Sequence, residues 1–171
     1  MARRYRPYIT FIYRFDEKLG CLLKEVSELC DDLRPQDRLD LMAACGDAEY
    51  AIKQSISCSE IVHAYYADNG KCISMLGLGR QDNYTLGRQV WSVSSNEINK
   101  GYVRPLLITE AKKVVGEWAD RYGLLQNVVS EENTKSIHYM EKILGAVFLP
   151  EDLKINNNVW KPFYIAGKGG K

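Results

Sequence analysis

Residues 124–130 (LLQNVVS) form a mostly apolar run directly after Gly123, and this run constrains the rest of the chain most. It reads as a strand buried on both faces, so the sheet holding it needs helices on both sides. The sequence supplies them. A long helix is expected from Arg104 to Tyr122, with Pro105 in its first turn and Gly123 as its stop. Its buried stripe is Leu107, Ala111, Val114, Val115 and Trp118. Earlier, Leu19, Leu22, Leu23, Val26, Leu29 and Cys30 recur at helical spacing. Pro35 starts a second helix whose inner stripe reads Leu39, Met42 and Ala43, ended by Gly46, and Asp47 caps a third piece through Ile56.

The remaining segments change period. Residues 61–67 (IVHAYYA) and 71–78 (KCISMLGL) flank Asp68-Asn69-Gly70, which predicts an antiparallel hairpin. Further strands are expected at residues 8–15, 89–95, 146–149 and 158–166, the last confined to an edge or a bulge by Pro162. Asn133 suits the cap of a helix over 134–144 that Gly145 ends. The fold class is therefore α/β (mixed α+β): one domain over residues 1–171, with 166–171 as a flexible tail. A central twisted mixed sheet of about six to seven strands carries helices on both faces. Trp91 and Trp118 are expected to pack that sheet against the long helix.

Composition narrows the function classes. A chain of 171 residues buries about 70% of its unfolded surface and needs no disulfide or metal to hold a core. A net charge of +1 argues against a dedicated nucleic-acid binder, and Arg3, Arg4 and Arg6 read as a solvated basic terminus. No stretch approaches the ~18 apolar residues of a membrane span, and Tyr8 to Phe15 is too short and interrupted for a signal-peptide core. The five cysteines contain no Cys-x-x-Cys pair and read as reduced thiols of a cytosolic protein. The two histidines, His63 and His138, lack ligand spacing, so no metal is expected.

One segment carries more than fold. In VVSEENTKSIHYMEKILGAVF (128–148), Asn133, Ser136, Tyr139, Glu141, Lys142 and Gly145 fall in a strand–loop–helix–strand string. Ala146 stands where an aromatic is usual, and one extra residue, Ile143 or Leu144, precedes the glycine. This string resembles the corresponding unit of the GNAT N-acyltransferases, and the element order agrees. Together with QVWSVSSNEINK (89–100) and Glu-Trp-Ala-Asp-Arg-Tyr (117–122), it is similar to a GNAT-like group encoded by tailed phages. That group includes the internal virion protein A of short-tailed coliphages, and the likeness spans roughly residues 35–150.

The resemblance implies acetyl-CoA in a cleft between two splayed parallel strands, residues 89–95 and 124–129, where an amine attacks the thioester directly. It implies a pyrophosphate at the N-terminus of the long helix. Acetyl-CoA contacts are then expected from Ser94, Ser95, Lys100, Gly101, Arg104 and Asn133. Candidate bases are Glu97, at the end of one cleft strand, and Glu131 or Glu132 after the other, and Tyr139 is the candidate acid. Two departures from the family pattern stand out. In the phosphate loop only Gly101 is small, while Tyr102, Val103 and Pro105 crowd the turn, so Lys100 and Arg104 must compensate by charge. Counting from Asn133, the family's usual Tyr falls on Met140, which holds no proton to give. Two functions stay open, the first preferred and the second its alternative. One is a phage protein that binds a virion or host protein, in the virion or the host cytoplasm, with a reduced acyl-CoA site. The other is an active acetyl-CoA-dependent N-acetyltransferase acting on a protein or a small amine.

Overall fold

A computed structural model describes residues 8–13, 22–67, 69–82, 85–101 and 103–169. The arginine arm, Cys21, Asp68, Tyr102 and the expected start of the first helix lie outside these residues. Among the described residues eight strands form one sheet in the order β1-β2-β3-β4-β5-β8-β6, with β7 also paired to β8. They are β1 (Tyr8–Tyr13), β2 (Ser59–Tyr66), β3 (Cys72–Gly79), β4 (Arg88–Ser94), β5 (Leu124–Ser130), β6 (Val147–Phe148), β7 (Leu153–Ile155) and β8 (Asn158–Ala166). The helices are α1 (Leu23–Asp31), α2 (Pro35–Cys45), α3 (Ala48–Ser57), α4 (Val103–Tyr122) and α5 (Thr134–Tyr139). A 3₁₀ turn (Asn96–Asn99) precedes α4, and a π-helical turn (Met140–Leu144) continues α5.

The hairpin forms as expected, with β2 and β3 antiparallel from Ser59↔Gly79 to Tyr66↔Cys72. The strand beyond the expected set is the three-residue β7, too short and too polar in its surroundings to show a period. Pro162 sits inside the sheet, not at its edge, because β8 pairs with β5 on one side and with β6 and β7 on the other. Its carbonyl accepts from Leu149 N–H on that outer side, so the donor it lacks faces the break between β6 and β7.

The two cores lie on opposite faces. Between the sheet and α4 are Tyr65, Leu78, Val114, Trp118, Leu125 and Phe163. Under α1 and α3 are Leu22, Val26, Ile52, Ile56, Val62 and Val93. Trp118 packs as expected, but Trp91 lies on the α3 face, where its indole N–H donates to Ser59 Oγ at 2.8 Å and its ring covers Gly77. At the C-terminus, Gly167 packs on the Ala119 carbonyl and Lys168 N–H donates to Asp120 at 2.7 Å, so the tail is pinned to α4 at least that far.

The greatest departure from the sequence reading is α2. Leu39 and Met42 are 58% and 46% exposed, whereas Asp37 is buried. The helix turns its apolar stripe outward and its carboxylates inward.

Candidate active site

Strands β4 and β5 are parallel neighbours that pair only at Arg88↔Leu125 and Gln89↔Gln126. Beyond that point they diverge. Asn127 stands at the vertex: its Nδ2 donates to the Val90 carbonyl at 2.7 Å, and its Oδ1 accepts from Val128 N–H at 2.8 Å. A side chain thus takes over the hydrogen bonds that a continuing ladder would make.

The gap is a cavity of about 510 Å³ passing between the arms. One side is walled by α4 and α5, the other by α2 and α3. Strand alternation fixes which peptide groups of β4 face it. The Val90 carbonyl takes the Asn127 amide, and Ser94 N–H donates to Asp37 Oδ2 at 2.8 Å. Residues 90 and 94 therefore turn their main chain away from β3, and Ser92 between them does the same.

Helix α2 closes the wide end of the gap by reaching both arms. Arg34 N–H donates to the Ser94 carbonyl at 3.0 Å, and Asn96 N–H donates to the Asp32 carbonyl at 2.9 Å. On the β5 side, Asn133 Nδ2 donates to Asp40 Oδ2 at 2.6 Å, and farther along Asn156 Nδ2 donates to the Ala43 and Ala44 carbonyls at 3.1 Å. Asp37 is neutralised by the Arg34 guanidinium, which donates through Nε at 3.1 Å and through its terminal nitrogen. Asp40 is half-buried and held by amides, with Gln36 Nε2 donating to Oδ1 at 2.9 Å. Burial pushes its carboxyl above the usual aspartate value.

The sequence-derived candidates divide into two groups. Ser94, Arg104, Asn133 and Tyr139 line the cavity, as does Met140. Glu97, Ser95, Lys100 and Gly101 do not line it. Glu97 belongs to the 3₁₀ turn and pairs with Lys100 at 2.5 Å. Ser95 is fully buried, and its hydroxyl caps that turn by accepting from Glu97 N–H at 3.2 Å. Gly101 is exposed with φ of +49°, and Glu131 and Glu132 are exposed in the loop after β5. Asp37, Asp40 and Asn127 had no signal in the sequence pattern.

Tyr139 ends the regular part of α5, and burial pushes its phenol up to about 12. The extra residue before Gly145 is taken up by the π-helical turn Met140–Leu144, immediately after Tyr139. Asn133 orders this unit from its other end, its Oδ1 accepting from Ser136 N–H at 3.2 Å. Two unpaired cations also line the cavity, Arg104 in the first turn of α4 and Lys135 in the first turn of α5; neither has an ion-pair partner among the described residues.

Around the helix entry, the main chain is largely used by the loop itself. Glu97 N–H goes to Ser95 Oγ, Ile98 N–H to the Ser95 carbonyl, Lys100 N–H to the Glu97 carbonyl and Val103 N–H to the Lys100 carbonyl. Among the described residues no cluster of His, Cys, Asp and Glu could hold a metal ion, and no helix is long and apolar enough to cross a membrane.

No family model and no curated protein matches the sequence. Solved structures do match its fold. The Vibrio fischeri ribosomal-protein-S5-alanine acetyltransferase aligns over 100% of this chain and 97% of its own, at 13% identity and a TM-score of 0.60. The Vibrio cholerae spermidine N-acetyltransferase, solved with CoA and spermine, aligns over 95% of both chains at 12% identity and a TM-score of 0.57. A GNAT-family acetyltransferase from Bacillus anthracis covers 93% of this chain and 94% of its own at 12% identity and a TM-score of 0.55. End-to-end overlap at these TM-scores shows that this chain has the GNAT acetyltransferase fold.

Proposed function

We propose that the chain is an acyl-CoA-dependent N-acyltransferase. The observation that carries this reading is the parted β4–β5 pair, which opens a through-sheet cavity with Tyr139 on its wall. A thioester donor would supply the activated acyl carbon. The residues present suit such a group: Ser92 turns its main chain toward the gap, and Arg104 and Lys135 offer charge to phosphates. The enclosed hydroxyl of Tyr139 keeps its proton at neutral pH and can give it to a departing thiolate. The acceptor then approaches from the α2 side, where Asp40 favours a cationic amine while Asp37 is answered by Arg34.

Calorimetry with acetyl-CoA, followed by thiol release in the presence of amines, tests this. Arg104→Glu should weaken acetyl-CoA binding about tenfold or more, the effect of about 1.4 kcal/mol or more. Absence of saturable acetyl-CoA binding at millimolar concentration would refute the reading.

A second reading rests on the helix-entry loop. Its amides at Glu97, Ile98, Lys100 and Val103 bond within the loop, and this favours a GNAT-fold protein that works by binding a virion or host protein. Acetyl-CoA binding separates the two readings.

A further inference from the structure

We infer that Asp40 is the group that takes the proton from the acceptor's ammonium, a catalytic role that rests on the acyltransferase reading above. Two carboxylates face the cavity from α2, and their surroundings differ. Asp37 is bound by the Arg34 guanidinium on both oxygens and by Ser94 N–H, so its charge is answered and its lone pairs largely used. It ties α2 to β4. Asp40 has no ion-pair partner among the described residues. Its oxygens accept from two neutral amides, Gln36 Nε2 on Oδ1 at 2.9 Å and Asn133 Nδ2 on Oδ2 at 2.6 Å. The carboxylate is therefore fixed in orientation with no cation paired to it among the described residues.

Such a group attracts a cation into a cavity already shaped for acyl transfer. Burial raises its carboxyl first; the Gln36 and Asn133 amides lower it, the neighbouring Asp37 raises it and Arg34 lowers it. The other cations that line the same cavity are Lys135 on α5 and Arg104 on α4. The outcome is a carboxylate more basic than a solvated aspartate, which narrows the gap to an ammonium. In the step, one N–H bond of R–NH₃⁺ breaks and the proton forms an O–H bond on Asp40. The electron pair stays on nitrogen as the lone pair that attacks the acyl carbon.

The same Asn133 that holds Asp40 caps α5, the helix that ends in Tyr139. Proton acceptor and proton donor are thus fixed to one another through one asparagine, on two walls of one cleft.

The experiment is run on the full chain and on Asp40→Asn, with spermidine and a peptide bearing a free N-terminal alanine as acceptor probes. Carboxyl-carbon NMR titration without an acyl donor should show the Asp40 carboxyl above its usual value. At least one probe should pull it down and shift the Asn133 side-chain amide signal, and Asp40→Asn should abolish the response. Turnover of that probe should fall ~10²- to 10⁴-fold in Asp40→Asn, with the acidic limb of the kcat/KM profile lost and acetyl-CoA binding unchanged. The variant should stay folded with only a modest loss of thermal stability, because its amide oxygen can still accept from Asn133 although the charge assistance and one acceptor are gone.

If acetyl-CoA binds but neither probe perturbs Asp40, the inference falls and the acyltransferase reading stands. Turnover within threefold of wild type in Asp40→Asn, or an intact acidic limb, also overturns the inference alone. Amine-dependent shifts at Asp40 without any acetyl-CoA binding would overturn the functional reading, and with it the catalytic role assigned to Asp40.

Discussion

Replacing Asn127 by leucine tests whether a side chain holds the parted strands in place. In the native structure Nδ2 meets the Val90 carbonyl at 2.7 Å and Oδ1 meets Val128 N–H at 2.8 Å. A third contact, Gln89 Nε2 to Oδ1 at 3.4 Å, is exposed and long, and contributes little. Leucine has the same number and branching of side-chain heavy atoms, so the loss is chiefly one of hydrogen bonds. Two neutral bonds at ~1 kcal/mol each give about 2 kcal/mol. The stranded Val90 carbonyl and Val128 N–H add to this only where water from the adjoining cavity fails to reach them, so about 2–3 kcal/mol is expected. For a chain of 171 residues this lowers Tm by roughly 4–12 °C.

Urea unfolding followed by circular dichroism measures the loss, and Asn127→Asp provides the control. Aspartate keeps the acceptor for Val128 N–H but turns an oxygen toward the Val90 carbonyl, so it should also destabilise the fold. Asn127→Gln retains both chemistries at the wrong reach and should fall between wild type and leucine. If Asn127→Leu costs less than about 0.5 kcal/mol, the vertex is held by the sheet itself and the reasoning fails.

Other consequences follow from the packing and the charges. Gly77→Ala would place a Cβ 2.2 Å from Trp91 Cε2, and since Nε1 is bonded to Ser59 the ring has little freedom to retreat. A loss of about 1–3 kcal/mol is expected, and adding Trp91→Leu should recover part of it; a double mutant worse than the sum of the singles would disprove the clash. His63 is buried, its Nδ1 has no partner among the described residues and its ring lies 5.2 Å from Trp118, and burial lowers its pKa against an opposing pull from Glu117. The unfolded chain then takes up a proton below about pH 6.5 that the folded chain refuses, so stability should fall by up to about 1.4 kcal/mol per pH unit as acid is added. His63→Phe should flatten that part of the urea-unfolding profile relative to wild type, and an unchanged slope would clear His63 of the effect. Tyr139→Phe should lower turnover with acetyl-CoA ~10- to 100-fold while acetyl-CoA binding stays within about twofold, and equal turnover would remove Tyr139 from the chemistry.

Most of the fold was legible because it was written in patterns that neighbouring residues repeat. The apolar run 124–130, the stripe of the long helix and the hairpin about Gly70 each appear where the period placed them. Where one side chain decides a register, the pattern was blind. Helix α2 shows this most clearly, since its periodicity offered Leu39 and Met42 as the buried stripe, yet both are exposed. The inward face is fixed by partners 50 to 100 positions away: Ser94 N–H for Asp37 and the Asn133 amide for Asp40. A short helix with a weak apolar stripe yields to such bonds, because two well-placed charge-assisted hydrogen bonds at about 1.5–3 kcal/mol each outweigh the partial burial of a leucine and a methionine.

The same reasoning explains the site. Tyr139 and Asn133 belong to a local string and could be named from it, while the carboxylates came from a distant segment and could not. Glu97 looked like a base because it follows the cleft strand, but a residue at the end of a strand has no fixed side. The 3₁₀ turn capped by Ser95 rotates it to Lys100. What the sequence left undetermined is therefore the acceptor half of the cleft, whose chemistry depends on how α2 is rolled. Cutting the hook from the β5 side makes this testable. Asn133→Ala removes the donor to Asp40 and the cap on α5 together, and should cost about 1–3 kcal/mol by urea unfolding. It should also move the Asp40 carboxyl further up, since one of the two amides that lower it is gone. A variant that loses stability while the Asp40 titration stays in place would mean that α2 is rolled inward by Asp37 alone.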